Sequence, residues 1–428
     1  MKTAFLKYFG LNPAESQHVR VAGNVWALLL LQLTNYILPL VLLPILIVRL
    51  NVENYGILAF GLYTIQYLIT LSDYGFFFSA TRQVSLIQNK PESLSEIFWS
   101  VQYSRFLLSL VGFFLLMFFI ATVRLDENER SVLMLLFISV IGNVFSPQWL
   151  FQGMERMKWI TIVQLASKLL LLVGVLVYVK GPEDLPAAAF LHGSTQLFAG
   201  IASMVLAIRI FKVRIIIPHA KSVWYQLKDG WHIFITTFYT TLYVNTNGFL
   251  LKFITGNNEW VGYYQAGEKV VRAVASLFNP FMTALFPYIS RKIEENRQEG
   301  VKLFFQLLNR LSILTFISMV LLWIFAPWIS HILLQQASPE VVSIIQILAV
   351  VVFFGTAGSM LSLQLFLNIG WKSKLPYLLF LLAVLDILMC FWLIPHSGHN
   401  GAALALAVTE VLAPVIYIGL FKLRYPKP

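Results

Sequence analysis

Apolar runs long enough to cross a bilayer follow one another from Val25 to Leu420, with only short polar breaks between them. A hydrocarbon core needs about 20 consecutive, mostly apolar helical residues, and that length divides this chain into twelve expected spans. They fall at roughly 24–48, 55–76, 99–123, 131–151, 160–180, 187–208, 230–254, 261–287, 303–327, 341–367, 375–394 and 401–421, with ends set to within about two to four residues. Nothing outside them is long enough for a soluble domain. The composition agrees: 58% of residues are hydrophobic and 12% charged, against about 25% charged in ordinary soluble domains, and the mean hydropathy is +0.75. The expected class is an all-α integral membrane protein.

A net charge of +11 invites a nucleic-acid reading, but its distribution argues for a membrane. With the first span entered from the cytoplasm, 21 of the 31 cations fall in loops on that side, among them Arg82, Lys90, Arg156, Lys158, Arg291, Lys292, Lys372 and Lys374. The opposite side carries Arg49, Arg124, Arg130, Lys180 and Lys252, and the spans carry Arg105, Lys168, Lys269, Arg272 and Arg310. This is the positive-inside pattern, and it places both termini in the cytoplasm. The N-terminal stretch has no signal-type apolar region or small-residue cleavage site, so it is expected to be retained as an interfacial segment.

The most basic loop, Arg209 to Asp229, follows the sixth span. It divides the chain into an N-terminal lobe, 1–208, a linker, 209–229, and a C-terminal lobe, 230–428, each lobe with six helices in the same orientation. A short repeat supports the duplication: Asn51-x4-Gly56-x4-Gly61 returns as Asn257-x4-Gly262-x4-Gly267. Only the second copy continues into Glu268, Lys269 and Arg272, where the first has Leu62 and Tyr63.

At a helical spacing, Gln265, Glu268, Lys269, Arg272, Ser276, Asn279 and Thr283 share one face of the eighth span. Lipid cannot cover such a face, because a charge at the bilayer centre costs about 2.5–3.5 kcal/mol or more. Either a hydrated groove or buried pairing must. Weaker stripes run along span one (Asn24, Gln32, Asn35, Pro39), span two (Tyr63, Gln66, Thr70, Asp73, Tyr74) and span seven (Thr237, Thr241, Asn245, Gly248). These stripes either hydrogen-bond between helices or line the same groove. Glu268 and Arg272, four residues apart, are placed to neutralise each other and leave Lys269 in surplus, an attraction for an anion such as phosphate. Arg310 and Arg105 either add to that charge or snorkel to the headgroups. Asp73, Asp386 and Glu410 are the acidic counterparts, able to carry a coupling ion or to pair with a buried cation. The expected lining is Lys269, Arg272, Glu268, Asn245, Asn279, Asn35, Gln32, Gln66, Asp73 and Arg310. Prolines interrupt several spans and bend helices; Pro39, Pro280 and Pro287 are read as hinges, the last two because they follow the charged stretch.

Several chemistries find no support. No phosphate-binding Gly-x4-Gly-Lys-Ser/Thr loop occurs, so ATP is not hydrolysed here. The single cysteine, Cys390, sits inside a span and excludes an internal disulfide. His396-x2-His399 lacks a third metal ligand, and no cofactor is expected. The expected extracytoplasmic loops are too short to hold a catalytic domain, and no enzyme is expected.

Certain motifs resemble those of a known family. Leu31-Gln32, Asn35-Tyr36, Leu38-Pro39-Leu40, Asn54-Tyr55-Gly56, Asp73-Tyr74-Gly75-Phe76 and Ser79-Ala80-Thr81-Arg82 resemble the opening of Wzx-type polysaccharide repeat-unit flippases. Val261-Gly262-Tyr263-Tyr264-x-Ala266-Gly267-x-Lys269 and Ala284-Leu285-Phe286-Pro287-x-Ile289-Ser290 are similar to their second-half signature. The resemblance implies membership of a superfamily shared with multidrug/toxin (MATE) extruders and lipid II flippases, with two six-helix bundles in a V shape. It further implies carriage of undecaprenyl-pyrophosphate-linked oligosaccharide, such as an O-antigen unit, to the periplasmic leaflet of the bacterial inner membrane through a cationic cavity. The partners so implied are this polyprenyl-linked glycan, membrane lipid, a coupling ion (proton or sodium) and other glycan-assembly membrane proteins. An ion-coupled multidrug exporter or a lipid II-type flippase is the alternative.

Overall fold

The computed structural model describes residues 16–87, 91–336, 338–371 and 374–424, without the side chains of 16–37, 91, 284, 287 and 424. Among these residues the only regular structure is helix. In chain order the helices are α1 (Ser16–Asp73), α2 (Phe76–Leu86), α3 (Pro91–Thr122), α4 (Glu127–Val144), α5 (Gln148–Gly153), α6 (Met157–Tyr178), α7 (Leu185–Phe211), α8 (Ala220–Thr255), α9 (Asn258–Ser276), α10 (Asn279–Glu295), α11 (Arg297–Leu334), α12 (Pro339–Ser359) and α13 (Leu375–Arg424). A π-helical stretch, Met360–Phe366, continues α12.

Eight helices among the described residues are long and apolar enough to cross a membrane, or nine if the bent pair Asn258–Thr283 and Tyr288–Glu295, at 47°, counts as one span. Two of the eight, Leu38–Leu86 and Leu375–Leu423, are 49 residues long, well beyond the roughly 20 that a crossing needs. Each contains a backbone break, at Asn51 (φ 63°) and at Gly398 (φ 52°). Helix α8 is not among the eight, since its Thr, Asn and Gly content lowers its hydropathy. Helix α1 runs through Pro39 and Pro44 and breaks at Asn51 instead. In the expected fourth span the helix does stop at a proline: α4 ends before Pro147 and α5 begins after it.

Packing groups the residues into two compact units, one containing Thr64–Phe238, the other Pro39–Tyr63 with the chain from Tyr239 onward. In the first, an aromatic core of Phe76, Phe98, Trp149, Phe151 and Phe211 joins α2, α3, α5 and α7. Arg105 on α3 is 1% exposed there. It donates to the carbonyls of Ser146 (2.9 Å) and Val144 (3.3 Å) and to Asp73 Oδ1 (2.8 Å). Those carbonyls lie where Pro147 interrupts the span and leaves acceptors without helical donors. Arg105 therefore satisfies a broken helix end and does not snorkel.

In the second unit the repeat noted above takes physical form. Asn51 Oδ1 accepts the N–H of Asn54 (2.9 Å), and Asn257 Oδ1 accepts that of Trp260 (3.0 Å). Each asparagine thus satisfies a donor that a helix start leaves open. One turn on, Gly56 and Gly262 face each other: a Cβ on Gly56 would strike the Asn258 carbonyl, and one on Gly262 the Val52 carbonyl. Small residues let membrane helices approach backbone to backbone, and this crossing tolerates nothing larger than hydrogen.

Gly56→Leu and Gly262→Leu should each destabilise the protein by more than the roughly 1–3 kcal/mol usual for overpacking, because backbone atoms cannot yield. Loss of the monodisperse peak in detergent size-exclusion chromatography would show it; a normal peak with an unchanged melting temperature would refute the crossing.

Candidate functional site

The polar face of α9 lies inside the second unit, and its central residue is Glu268. Ala266, Val270 and Ala273, about half a turn round the helix, are buried as well, so the charged face lies against protein rather than facing outward. Glu268 is 4% exposed. It accepts a hydrogen bond from the hydroxyl of Tyr63, on α1 beyond the Asn51 break. On the other side it pairs with Arg272, whose Nε donates at 2.8 Å and whose Nη2 lies at 2.6 Å. Nη2 of Arg272 also donates to the Val244 carbonyl on α8 (2.8 Å). One carboxylate thereby ties three helices, and these partners offset the desolvation of a buried charge.

Lys269 is half-buried. Its Nζ donates to Tyr55 Oη at 3.0 Å and sits 5.4 Å from the centre of the same ring. Such a cation–π contact is worth about 0.5–2 kcal/mol, but it does not neutralise the charge. Among the described residues no carboxylate lies within ion-pair distance of Lys269, so the Glu268–Arg272 pair leaves it in surplus, as the sequence spacing suggested. The Arg272 side chain remains 32% exposed, which leaves part of its guanidinium free to meet another anion.

A second polar node lies in the same unit. Asn247 on α8 donates to Asp386 Oδ1 (3.1 Å), to Cys390 Sγ (3.3 Å) and to the Ala402 carbonyl (3.3 Å). Thr409 Oγ1 lies 3.4 Å from Asp386 Oδ1. Asp386 is fully buried, and both its Oδ2 and the Oδ1 of Asn247 have no hydrogen-bond partner. Glu410 stands close by and feels the charges of Arg272 and Asp386. Glu268, Asp386 and Glu410 thus lie in the same unit as Lys269 and Arg272, whereas Glu268 and Asp73 were the two acids in the expected lining.

The other anticipated residues fall in different places. Asn245 is half-buried and donates to the Thr241 carbonyl of its own helix (3.3 Å). Asn279 begins α10 and is half-buried, followed by Pro280 in the first turn of that helix, where a missing N–H costs nothing. Gln66 and Asp73 belong to the first unit, where Asp73, 39% exposed, pairs with Arg105. Arg310 is exposed on α11 and makes none of these bonds. Pro39 lies within the unbroken first part of α1. The side chains of Gln32, Asn35 and Pro287 lie outside the described residues. Tyr55, Asn247 and the four-residue spacing of Asp386 and Cys390 were not singled out from sequence. The last was the one available signal, since it places a carboxylate and a thiol on one helix face.

Solved structures share this helical membrane fold. The lipid II flippase MurJ in an inward closed conformation superposes with a TM-score of 0.75 at 16% identity, over 94% of this chain and 87% of that one. An inward-facing multidrug resistance MATE family transporter of the MOP superfamily gives 0.73 at 14%, over 92% and 94%. At those identities the likeness is one of fold. The family is shown by sequence: residues 21–292 match the polysaccharide biosynthesis protein family, and the chain belongs to it. It is also 29% identical to an Escherichia coli K12 protein named as an O-antigen transporter, over 91% of this chain and 94% of that one. A Shigella dysenteriae protein named likewise is 26% identical over 94% and 99%. The relatives are transporters, not enzymes.

Removing one member of the central pair should cost more than removing both. Glu268→Gln strands a partly buried guanidinium, and Arg272→Gln strands a buried carboxylate; a double-mutant cycle on unfolding in detergent should return about 0.5–3 kcal/mol of coupling. Additive effects would mean that the pair does not form.

Proposed function

We propose that this chain is a flippase for a polyprenyl-pyrophosphate-linked oligosaccharide, an O-antigen or related surface-polysaccharide unit, moving it from the cytoplasmic to the periplasmic leaflet of the bacterial inner membrane. The observation that carries this reading is the family match, joined by transporter relatives aligned over more than nine-tenths of the chain. Sugar hydroxyls and phosphates each lose several kcal/mol of hydration in bare hydrocarbon. A protein that moves them must offer polar partners within the membrane while the polyprenyl tail stays in lipid. Lys269, lacking a carboxylate, and Arg272, with part of its guanidinium uncovered, are the groups we assign to the pyrophosphate. Tyr55 and Glu268 hold them in place.

In this reading the chain crosses the membrane twelve times. The count takes the helices on either side of Asn51 and of Gly398 as separate spans, the bent α9–α10 pair as one span, and includes α8, giving six before and six after the 209–229 linker, with both termini cytoplasmic. Transport proceeds by alternating access. The energy source we assign is a proton or sodium ion at Asp386, where Asp386 Oδ2 and Asn247 Oδ1 are acceptors without donors. A gradient or potential of 100 mV supplies about 2.3 kcal/mol per charge. The fold is shared with a MATE transporter and with MurJ, so a drug exporter or lipid II-type flippase is the rival reading.

In a strain lacking its own transporter, Lys269→Ala with Arg272→Ala should reduce surface glycan at least about tenfold, the effect of losing roughly 1.4 kcal/mol of cargo binding, with membrane levels unchanged. Normal glycan in the double variant would reject their role. In reconstituted vesicles, movement of lipid-linked sugar without dye efflux separates this cargo from a drug. Asp386→Asn should abolish the response of flipping to an imposed proton or sodium gradient, whereas a full response would remove Asp386 from the coupling step.

A further inference from the structure

The first unit holds a cavity, with an apolar wall and a few polar and charged side chains, that takes no part in the reading above. It has a volume of about 330 Å³ and lies between the end of α2, the start of α3 and the first turns of α8, lined by Gln83, Glu96, Ser100, Lys221, Tyr225 and Gln226 among others. Gln83 and Gln226 bond amide to amide, at 3.0 Å in both directions. Glu96 Oε1 accepts the backbone N–H of His219 (3.1 Å). Lys221 is exposed, and among the described residues no ion pair joins it to Glu96. One acid and one base thus face the same space without meeting. Ser100 is fully buried, and its Oγ has no hydrogen-bond partner.

The surroundings are those of a bilayer surface. The segment leading into α8 is pinned to α3, since Arg214 N donates to Ser95 Oγ (3.0 Å) and Trp99 Nε1 donates to the Arg214 carbonyl (2.8 Å). Held there, it exposes Ile215 (80%) and Ile217 (84%), with Trp224, Tyr225 and Trp231 exposed just beyond. Lys212, Arg214, Lys221 and Lys228 are exposed along the same stretch. Aromatic rings beside cations, with bare aliphatic chains, are what the headgroup layer of a membrane accommodates.

We propose that this cavity binds the headgroup of a zwitterionic phospholipid of the phosphoethanolamine type. The phosphate sits on the Lys221 ammonium. The lipid's own primary ammonium reaches Glu96 and donates N–H groups to its carboxylate. A choline headgroup has no N–H to give, and an anionic glycerol headgroup leaves Glu96 facing a like charge. The acyl chains lie along Ile215, Ile217 and Trp224.

The test uses the full chain, purified in detergent and stripped of lipid, then titrated with phosphatidylethanolamine, phosphatidylglycerol or phosphatidylcholine and read by native mass spectrometry. One ethanolamine lipid should be retained, at concentrations about tenfold lower than either other lipid, the scale of one charge-assisted hydrogen bond. Lys221→Gln and Glu96→Gln should each weaken that retention about tenfold, and Ser222→Trp, which fills the cavity mouth, should end it. Lys228→Gln, outside the cavity, should change nothing. Melting temperatures without lipid check that each variant folds; if Glu96→Gln unfolds by freeing the His219 amide, Lys221→Gln and Ser222→Trp decide. Equal retention of the three lipids, preference for phosphatidylglycerol or phosphatidylcholine, or undiminished ethanolamine binding by Lys221→Gln and Ser222→Trp would overturn the proposal.

Discussion

A carboxylate buried among membrane helices must be answered by a cation and by hydrogen bonds, because the low dielectric makes an unpaired charge cost several kcal/mol. Glu268 meets that demand with Arg272 and Tyr63, and in doing so joins α9 to α1 and, through the Val244 carbonyl, to α8. The arrangement explains why this helix can be the most polar in a chain of this hydropathy. Its charges are spent on each other and on the neighbouring backbone, except for the ammonium of Lys269 and the uncovered edge of Arg272. Those two remainders are what the unit has to offer an anion.

Close approach is the other constraint. Tyr55 and Tyr63 reach Lys269 and Glu268 because Gly56 and Gly262 bring their two helices within backbone contact. The asparagines at the start of each repeat set where those helices begin. The same economy appears in the first unit, where Arg105 supplies donors to carbonyls that Pro147 leaves open. In both places a polar side chain repairs a break in a membrane helix, and the break fixes where that side chain must lie. The Asp386 node differs, since two of its acceptors stay without donors.

Much of this could be read from residue order. The helical class followed from apolar length, the pairing of Glu268 with Arg272 from their four-residue spacing, and the family from short motifs such as Val261-Gly262-Tyr263-Tyr264. Each is a local property: one helix turn, one run of hydrophobicity, one stretch of contiguous side chains. Arg105 shows where that kind of reading stops. Its distance from the span end suggested snorkelling, yet it is buried, because what it serves is a helix break about forty residues away in sequence. Asn247 shows the same limit, lying outside the polar stripe of its span and unremarkable until α13 brings Asp386 beside it.

The sequence by itself determined that the chain is helical and lives in a membrane, which helix carries charge, and that one cation there would lack a carboxylate, since all of these depend on residues within a turn or a span of each other. Tertiary structure alone decided that Tyr55 and Tyr63 are the partners of that charge, that Asp386 meets Asn247, and that residues 39–63 pack with the later part of the chain. The physical reason is that a hydrogen bond or a glycine crossing between distant helices depends on their rotation and depth, which no periodicity within either helix contains.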